Sequence, residues 1–461
     1  MYPRTASTLL VPIALALAVA VVGCVVDSGG PSGGAAGSGA AAAGAGTSGS
    51  GSFDSGAGGS EAGNTAGAGG MAGAAAAAGV AGTAGAASAN SGGAGPVNAH
   101  PATVFNAAEL DVIRSRVKQK QQPQWGAYQK LLADAGGFLS FNKAPPKKIL
   151  LVGGPDNTSI ARDIFASHSK AAYACALAYV LTGQAKFADQ AVAIMQKWQQ
   201  VGVTLVGGSH AGLHSGSYLV AFMYAHDLLH GYSGWSGTER GKFQKWWRAE
   251  ILPKSRLVVD EKMAGTDPKQ WDASNWLEAA LNCMLATAVS FDDAKLRTEI
   301  IGRLQKYFIG PWRIHQAPYG PKGKVVAIVQ KDVLRKKKTF IQGVMYTGYG
   351  TSSLVQAFEM ARYAGVDLWN KKTPAGVGYQ AVIDQWFRWN YLNEEFHLHL
   401  KEQAAGVPVR RNWHHHDNIL EVANNRYNMS ADFKKFVAKS RPVLGNPRDE
   451  YATLTKGDMP L

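Results

Sequence analysis

Cysteine is nearly missing from this chain. Three occur in 461 residues, too few for a disulfide-built scaffold and without the paired spacings of a zinc ribbon or finger. Acidic side chains are also scarce: 33 Asp and Glu stand against 47 Lys and Arg. Between Val25 and Val97 large side chains are almost absent. A tract made nearly only of Gly, Ala and Ser buries too little surface to offset its ordering entropy, so a flexible linker over residues 25–98 is expected. No fixed repeat period marks a solenoid. No nucleic-acid-binding motif accompanies the basic charge, and no nucleic acid partner is expected.

The N-terminus carries Arg4 and then the apolar run LLVPIALALAVAVV. That run is short for a membrane span and ends in Val21-Val22-Gly23-Cys24, which resembles a bacterial lipobox. The expectation is a lipoprotein signal peptide over residues 1–24, with Cys24 lipidated and the protein exported to the periplasm or outer cell surface. An ordinary secretory signal is the alternative. A lipid anchor would tether the chain to a membrane without spanning it.

Residues 99–461 hold all but one of the basic residues and all but three of the acidic ones, so they carry about +16. For an exported domain this charge fits an acidic polysaccharide, with plain solubilisation as the other reading. Cys175 and Cys283 lie in apolar helical stretches and read as buried thiols, although a bond between them is open at this stage.

The chain is organised around Lys269 to Asp293. A polar turn, Asp272-Ala273-Ser274, precedes Leu277, Ala280, Leu281, Met284, Leu285 and Ala288, at spacings of three and four. A helix so apolar belongs inside a helical protein. Asn275 and Trp276 are at its first turn; taken locally, Asn275 reads as a helix cap. Helices are also expected in two short pieces between Pro101 and Asp134, and at Ala161–Thr182, Phe187–Trp198, Gly216–His230, Glu239–Leu252, Ala294–Phe308, Thr351–Ala364, Tyr379–Leu392, Asn418–Tyr427 and Ala431–Val443. Gly136 to Ile160 reads as a long loop with a short strand at Ile149–Val152, and Val203 to His214 as a glycine-rich connection. Pro311 to Thr339 breaks the helical rhythm. Helix pairs with little strand give an all-α fold, an α/α toroid or incomplete barrel of helical hairpins.

Several segments together resemble the alginate-lyase-type polysaccharide lyase family: ARDIFASHSKAAYACALAYVLTGQAKFADQAVAIMQKW, SGSYLVAFMYAHDLLHGYSGWSGTER, the Asn275-Trp276 helix with its following Phe291-Asp292-Asp293, YTGYGTSSLVQAFEMARYAGVDLW from Tyr346, and HDNILEVANNRY from His416. The resemblance implies cleavage of a uronic-acid polymer, of alginate or glucuronan type, by β-elimination. Such a reaction needs donors that neutralise the uronate carboxylate as charge builds on it, a base for the C5 proton and an acid for the leaving O4. No metal or cofactor is expected.

By that resemblance Asn275 neutralises the carboxylate and Tyr346 protonates the leaving oxygen and, as in some members, can also take the C5 proton. Arg335, in the basic run Arg335-Lys336-Lys337-Lys338, is the candidate for the family's arginine. The best-known members place a histidine directly after the asparagine; here Trp276 follows, so the base must come from elsewhere. His214, in SHAGLHSGSY, is the preferred candidate and His415, in the His414–His416 run, the second. Trp276, Tyr349, His415, Arg411 and Lys336 are expected to line the sugar cleft. The clustered histidines, including His397 and His399, lack a spacing that defines a metal site. Two other readings stay open: a hydrolase on the same toroid, needing paired carboxylates among Asp272, Glu278, Glu359 and Asp367, and a surface polysaccharide binder without catalysis.

Overall fold

The structure is a computed structural model and describes residues 99–151, 155–266, 274–307, 342–372, 376–392, 418–441 and 451–459. Its elements are α1 (Ala107–Lys118), α2 (Gln124–Phe138), β1 (Lys148–Leu150), α3 (Pro155–Thr182), α4 (Ala185–Val201), β2 (Thr204–Val206), α5 (Ser209–His214), a π-helical turn (Ser215–Leu219), α6 (Val220–Leu228), α7 (Gly237–Glu250), α8 (Leu252–Lys262), α9 (Asn275–Ser290), α10 (Ala294–Tyr307), α11 (Gln342–Tyr363), α12 (Tyr379–Tyr391), α13 (Asn418–Arg426), α14 (Ala431–Ser440) and α15 (Ala452–Lys456). The signals that start and stop these helices are local. The Asn106 side chain accepts from the Glu109 amide at 2.9 Å and starts α1. Ser236 and Ser430 cap α7 and α14 in the same way. Gly183, at φ +70°, ends α3.

The two strands pair in parallel, Ile149 opposite Leu205. The short strand expected near Ile149 is present, and its partner lies in the segment read as a glycine-rich connection. That segment also folds into α5, because glycines there serve close packing rather than a loop. A Cβ on Gly212 would lie 2.2 Å from the Lys254 carbonyl oxygen, and one on Gly216 2.2 Å from that of Ala279. The two glycines let this stretch lie directly on α8 and α9. Helix α3 begins six residues before the expected Ala161, and α11 nine residues before the expected Thr351, so Tyr346 sits inside a helix. Helices α8 and α15 were not expected.

Helix α9 is the hub. It packs against α6, α8, α10, α11 and the π turn, and every residue in it except Trp276 is buried. Side-chain contacts show how its neighbours run. Near its start, Ala279 meets Gly216, and the Tyr379 hydroxyl sits beside both Glu278 of α9 and Thr351 of α11. At mid-height the Asn282 amide donates to Tyr224 of α6 at 3.1 Å, and Tyr224 stacks edge-on with Tyr173 of α3 at 5.8 Å. Beyond its end, Asp292 and Asp227 of α6 both contact His100, while Tyr363 of α11 donates to the Val104 carbonyl. Tyr179, further along α3, meets Tyr232 beyond the end of α6, so α3, α6, α9 and α11 run in the same direction, the arrangement of inner helices in an α/α toroid.

Cys175 and Cys283 are free and buried. Burial pushes their thiols up to about 12 and about 11, so neither is a reactive thiolate. None of the described helices is long and apolar enough to cross a membrane.

Candidate functional site

The common direction of the inner helices brings their N-terminal ends together, and three of the expected site residues lie at that end. Asn275 is the first residue of α9, 6% exposed. Ser274, in extended conformation, is the N-cap, so Asn275 is not the cap that its local sequence suggested. Tyr346 lies in the second turn of α11 and is partly exposed. His214 closes α5, just before the π turn. Helix α11 packs along α9, with Asn275 the first residue of one and Tyr346 in the second turn of the other. Gly216, two residues after His214, presses on Ala279, one turn into α9.

The surroundings of His214 are those of a neutral imidazole. Burial, then the nearby charges of Arg162 and His210, lower its pKa to about 4. It is 8% exposed, and its Nδ1 has no hydrogen-bond partner among the described residues. The ring lies nearly parallel to that of Tyr218, with centroids 6.1 Å apart. The Ser274 hydroxyl is likewise buried without a described partner. Buried polar groups normally find partners; these two are among several exceptions among the described residues, and a ligand at this end can supply them. The single π turn, of a kind frequent at functional sites, lies between them and the packed α6.

Trp276 is the one residue of α9 turned toward the surface. Its ring lies 4.7 Å from that of His210, and the Lys262 ammonium sits 5.7 Å from the ring centroid. An aromatic face beside a cation suits a sugar ring that bears a carboxylate. Tyr349, one turn beyond Tyr346, is partly exposed as well. Helix N-termini carry partial positive charge, so several of them at one end favour an anionic ligand.

Arg162 and Lys262 were not assigned roles from sequence. Arg162 stands in an ordinary amphipathic helix, and Lys262 ends a helix that the pattern did not reveal. Only folding sets them near His214 and Trp276. Arg335, Lys336, Arg411 and His415 lie outside the described residues, as do Cys24, His397, His399, His414 and His416. The carboxylates considered for hydrolysis form no pair across a cleft among the described residues. Glu278 is fully buried and accepts from Tyr307 at 2.5 Å. Glu359 is bound by Arg426, Lys456 and Arg362 near the C-terminal end of α11. Asp367 accepts from the amides of Trp369 and Asn370. Asp272 lies outside the described residues.

Helices packed around an inner ring, with one small parallel pair of strands, form the architecture of the α/α-toroid polysaccharide lyases. The family model described as Alginate lyase matches residues 142–397, more than half of the chain, and the chain belongs to that family. Solved structures share the fold. A variant of alginate lyase A1-III complexed with tetrasaccharide aligns at 16% identity and a TM-score of 0.56, covering 78% of this chain and 96% of that one. An alginate lyase from Bacteroides ovatus aligns at 15% identity and 0.55, covering 77% and 99%. Alginate lyase A1-III from Sphingomonas species A1 aligns at 15% identity and 0.51, covering 75% and 94%. No curated protein sequence matches the chain.

Proposed function

We propose that this polysaccharide lyase cleaves a uronate polymer of the alginate or glucuronan type by β-elimination, at the N-terminal ends of α9 and α11 and the junction of α5 with the π turn. What supports the reading is that Asn275 and Tyr346 lie in the opening turns of α9 and α11, which pack on each other, and that His214 leads into the π turn that packs on α9. The Asn275 amide, and Arg335 from the adjoining basic segment, neutralise the carboxylate as the C5–H bond breaks. His214 or Tyr346 takes the C5 proton. Electrons of that bond form the C4=C5 double bond as the C4–O4 bond breaks, and Tyr346 protonates O4. No water is consumed.

His214 is a weak base in the free enzyme. An arriving carboxylate offsets the repulsion from Arg162 and His210 and raises its basicity at the moment it is needed. Trp276, Tyr349, His415, Arg411 and Lys336 contribute the walls of the sugar cleft. The +16 of residues 99–461 draws the acidic polymer in.

The signal peptide and Cys24 support an exported lipoprotein, with residues 25–98 as the tether and 99–461 as the catalytic domain, at the periplasmic or outer surface of a bacterium. Incubation with alginate, glucuronan and glycosaminoglycans, followed by the ultraviolet absorbance of an unsaturated end, tests the chemistry. Absence of that signal on the whole panel rejects it. Binding without cleavage would identify a non-catalytic binder. Metabolic fatty-acid labelling that persists in Cys24→Ser would reject the anchor.

A further inference from the structure

At the opposite end, beyond the C-termini of α6 and α9, two histidines and an aspartate converge without any role in the elimination. The His100 and His230 rings are stacked, with centroids 3.8 Å apart and planes 13° from parallel. The Nε2 of His100 lies 3.2 Å and 3.1 Å from the two carboxylate oxygens of Asp292, and the Nε2 of His230 lies 3.7 Å from Asp292 Oδ2. One ligand atom from each of the three residues falls within 4.8 Å of the others. Tetrahedral ligands at about 2.1 Å from a metal are about 3.4 Å apart, so small side-chain shifts close this set around an ion.

Two further observations point the same way. The Nδ1 of His100 is hydrogen-bonded to Asp227 Oδ1. Asp227 is fully buried, and its other oxygen accepts from the Ala102 amide at 2.8 Å, the Thr103 amide at 2.8 Å and the Thr103 hydroxyl at 2.7 Å. A carboxylate held so firmly fixes the histidine tautomer that leaves Nε2 free to ligate, the arrangement found behind metal-bound histidines. Asp292 adopts φ +53° as the residue after the cap of α9, with the Asp293 amide on the Ala288 carbonyl and the Asp292 amide on that of Val289. Glycine is the usual occupant of such a position. An aspartate kept there aims its carboxylate at the two imidazoles.

We propose that His100, His230 and Asp292 form a zinc site, with Asp227 as its supporting carboxylate and an open fourth position for water. Two imidazole nitrogens and one carboxylate select a first-row transition ion over calcium or magnesium. The ion joins the segment at His100 to the turn after α9 and the end of α6. The half-exposed side chains of His230 and Asp292 give it an entry path.

The test uses the full, untagged chain stripped with EDTA and titrated with zinc chloride against a chromogenic chelator, with Tm recorded in parallel. The expected result is about one zinc per chain with Kd below about 1 µM, and a Tm rise of roughly 3–6 °C at saturating zinc. Asp292→Gly, which suits the left-handed backbone, and His230→Ala, which removes an exposed ring, each weaken zinc binding by about tenfold or more and remove most of that rise. Calcium and magnesium give no shift. The proposal is overturned if zinc leaves Tm unchanged, which would make His100 a proton-held clamp between its two carboxylates. It is equally overturned if both variants bind zinc as tightly as the natural chain, which would move the ion elsewhere, the His414–His416 run being the obvious place.

Discussion

Near the C-terminal ends of the inner helices, buried charges are saturated with partners. Glu359 is fully buried and accepts from Arg426 through both oxygens at 2.7 Å, from Lys456 at 3.0 Å, from Arg362 at 3.1 Å and from the Trp369 indole at 2.9 Å. Glu109 shares Arg362, Arg426 and Lys456 with it and accepts from Tyr363 at 2.5 Å. Burial would raise the Glu359 carboxyl, yet Lys456 and Arg426 hold it well below the usual range. At the N-terminal ends, His214 Nδ1 and the Ser274 hydroxyl are buried without described partners, as are several atoms elsewhere, Trp235 Nε1 and Gln124 Oε1 among them. A network whose members are all satisfied holds α1, α11, α13 and α15 in one arrangement. Groups left unsatisfied are costly, and a fold retains them where a ligand completes them. The contrast is between a closed network of buried charges and an end where, under the proposed function, substrate completes the polar groups.

The largest test of this division is Tyr346→Phe, which should lower turnover by about 10²- to 10⁴-fold while Tm stays within about 1 °C. Unsaturated-product absorbance and a melting curve read the two quantities; a variant that loses both together would make Tyr346 a packing residue. The mirror experiment is Glu359→Ala. It strands Arg426 and Lys456 and should cost about 3–5 kcal/mol in denaturant unfolding, with kcat below the new Tm kept within about threefold. Loss of kcat at full occupancy of the folded state would join the two ends.

Gly216→Ala should cost about 1–3 kcal/mol and also depress activity, because the added methyl meets the Ala279 carbonyl and drives the His214 segment off α9. Unchanged activity would place His214 outside the site. The pH dependence of stability has a defined sign. His214 and His168 are lowered to about 4 by burial and nearby cations, and His226 well below its ordinary value by burial. The unfolded chain takes up these protons as pH falls through about 6.5, so stability is complete above that value and declines toward pH 4. His214→Gln should flatten the decline by up to about 1.4 kcal/mol per pH unit, as measured by unfolding at several pH values; an unaltered slope would mean that His214 titrates normally. The smallest effect is expected from Trp276→Ala, which should raise KM by about three- to tenfold and leave kcat nearly unchanged if the ring only stacks on sugar.

Most helices were legible because each rests on short-range patterns: Asn106 as a cap, Gly183 as a stop, and the apolar face of α9. The misses have physical causes. Gly207 and Gly208 suggested a loop, but Gly212 and Gly216 are where one helix lies on another, and sequence does not reveal a contact partner. Helix α8 was hidden by Pro253, which at the first turn of a helix starts it rather than breaks it. The polar turn expected to cap α9 does so through Ser274, which leaves Asn275 as the first helical residue.

Sequence alone determined the all-α class, the hub helix and the residue types that an elimination would need, because periodicity and capping act over a few residues. Tertiary structure decided that Asn275, Tyr346 and His214 share one end, that Arg162 and Lys262 stand beside them, and that His100, Asp227, His230 and Asp292 meet at the other. These groups are separated by tens to hundreds of residues. Their meeting depends on the common direction of four packed helices, which no local pattern encodes.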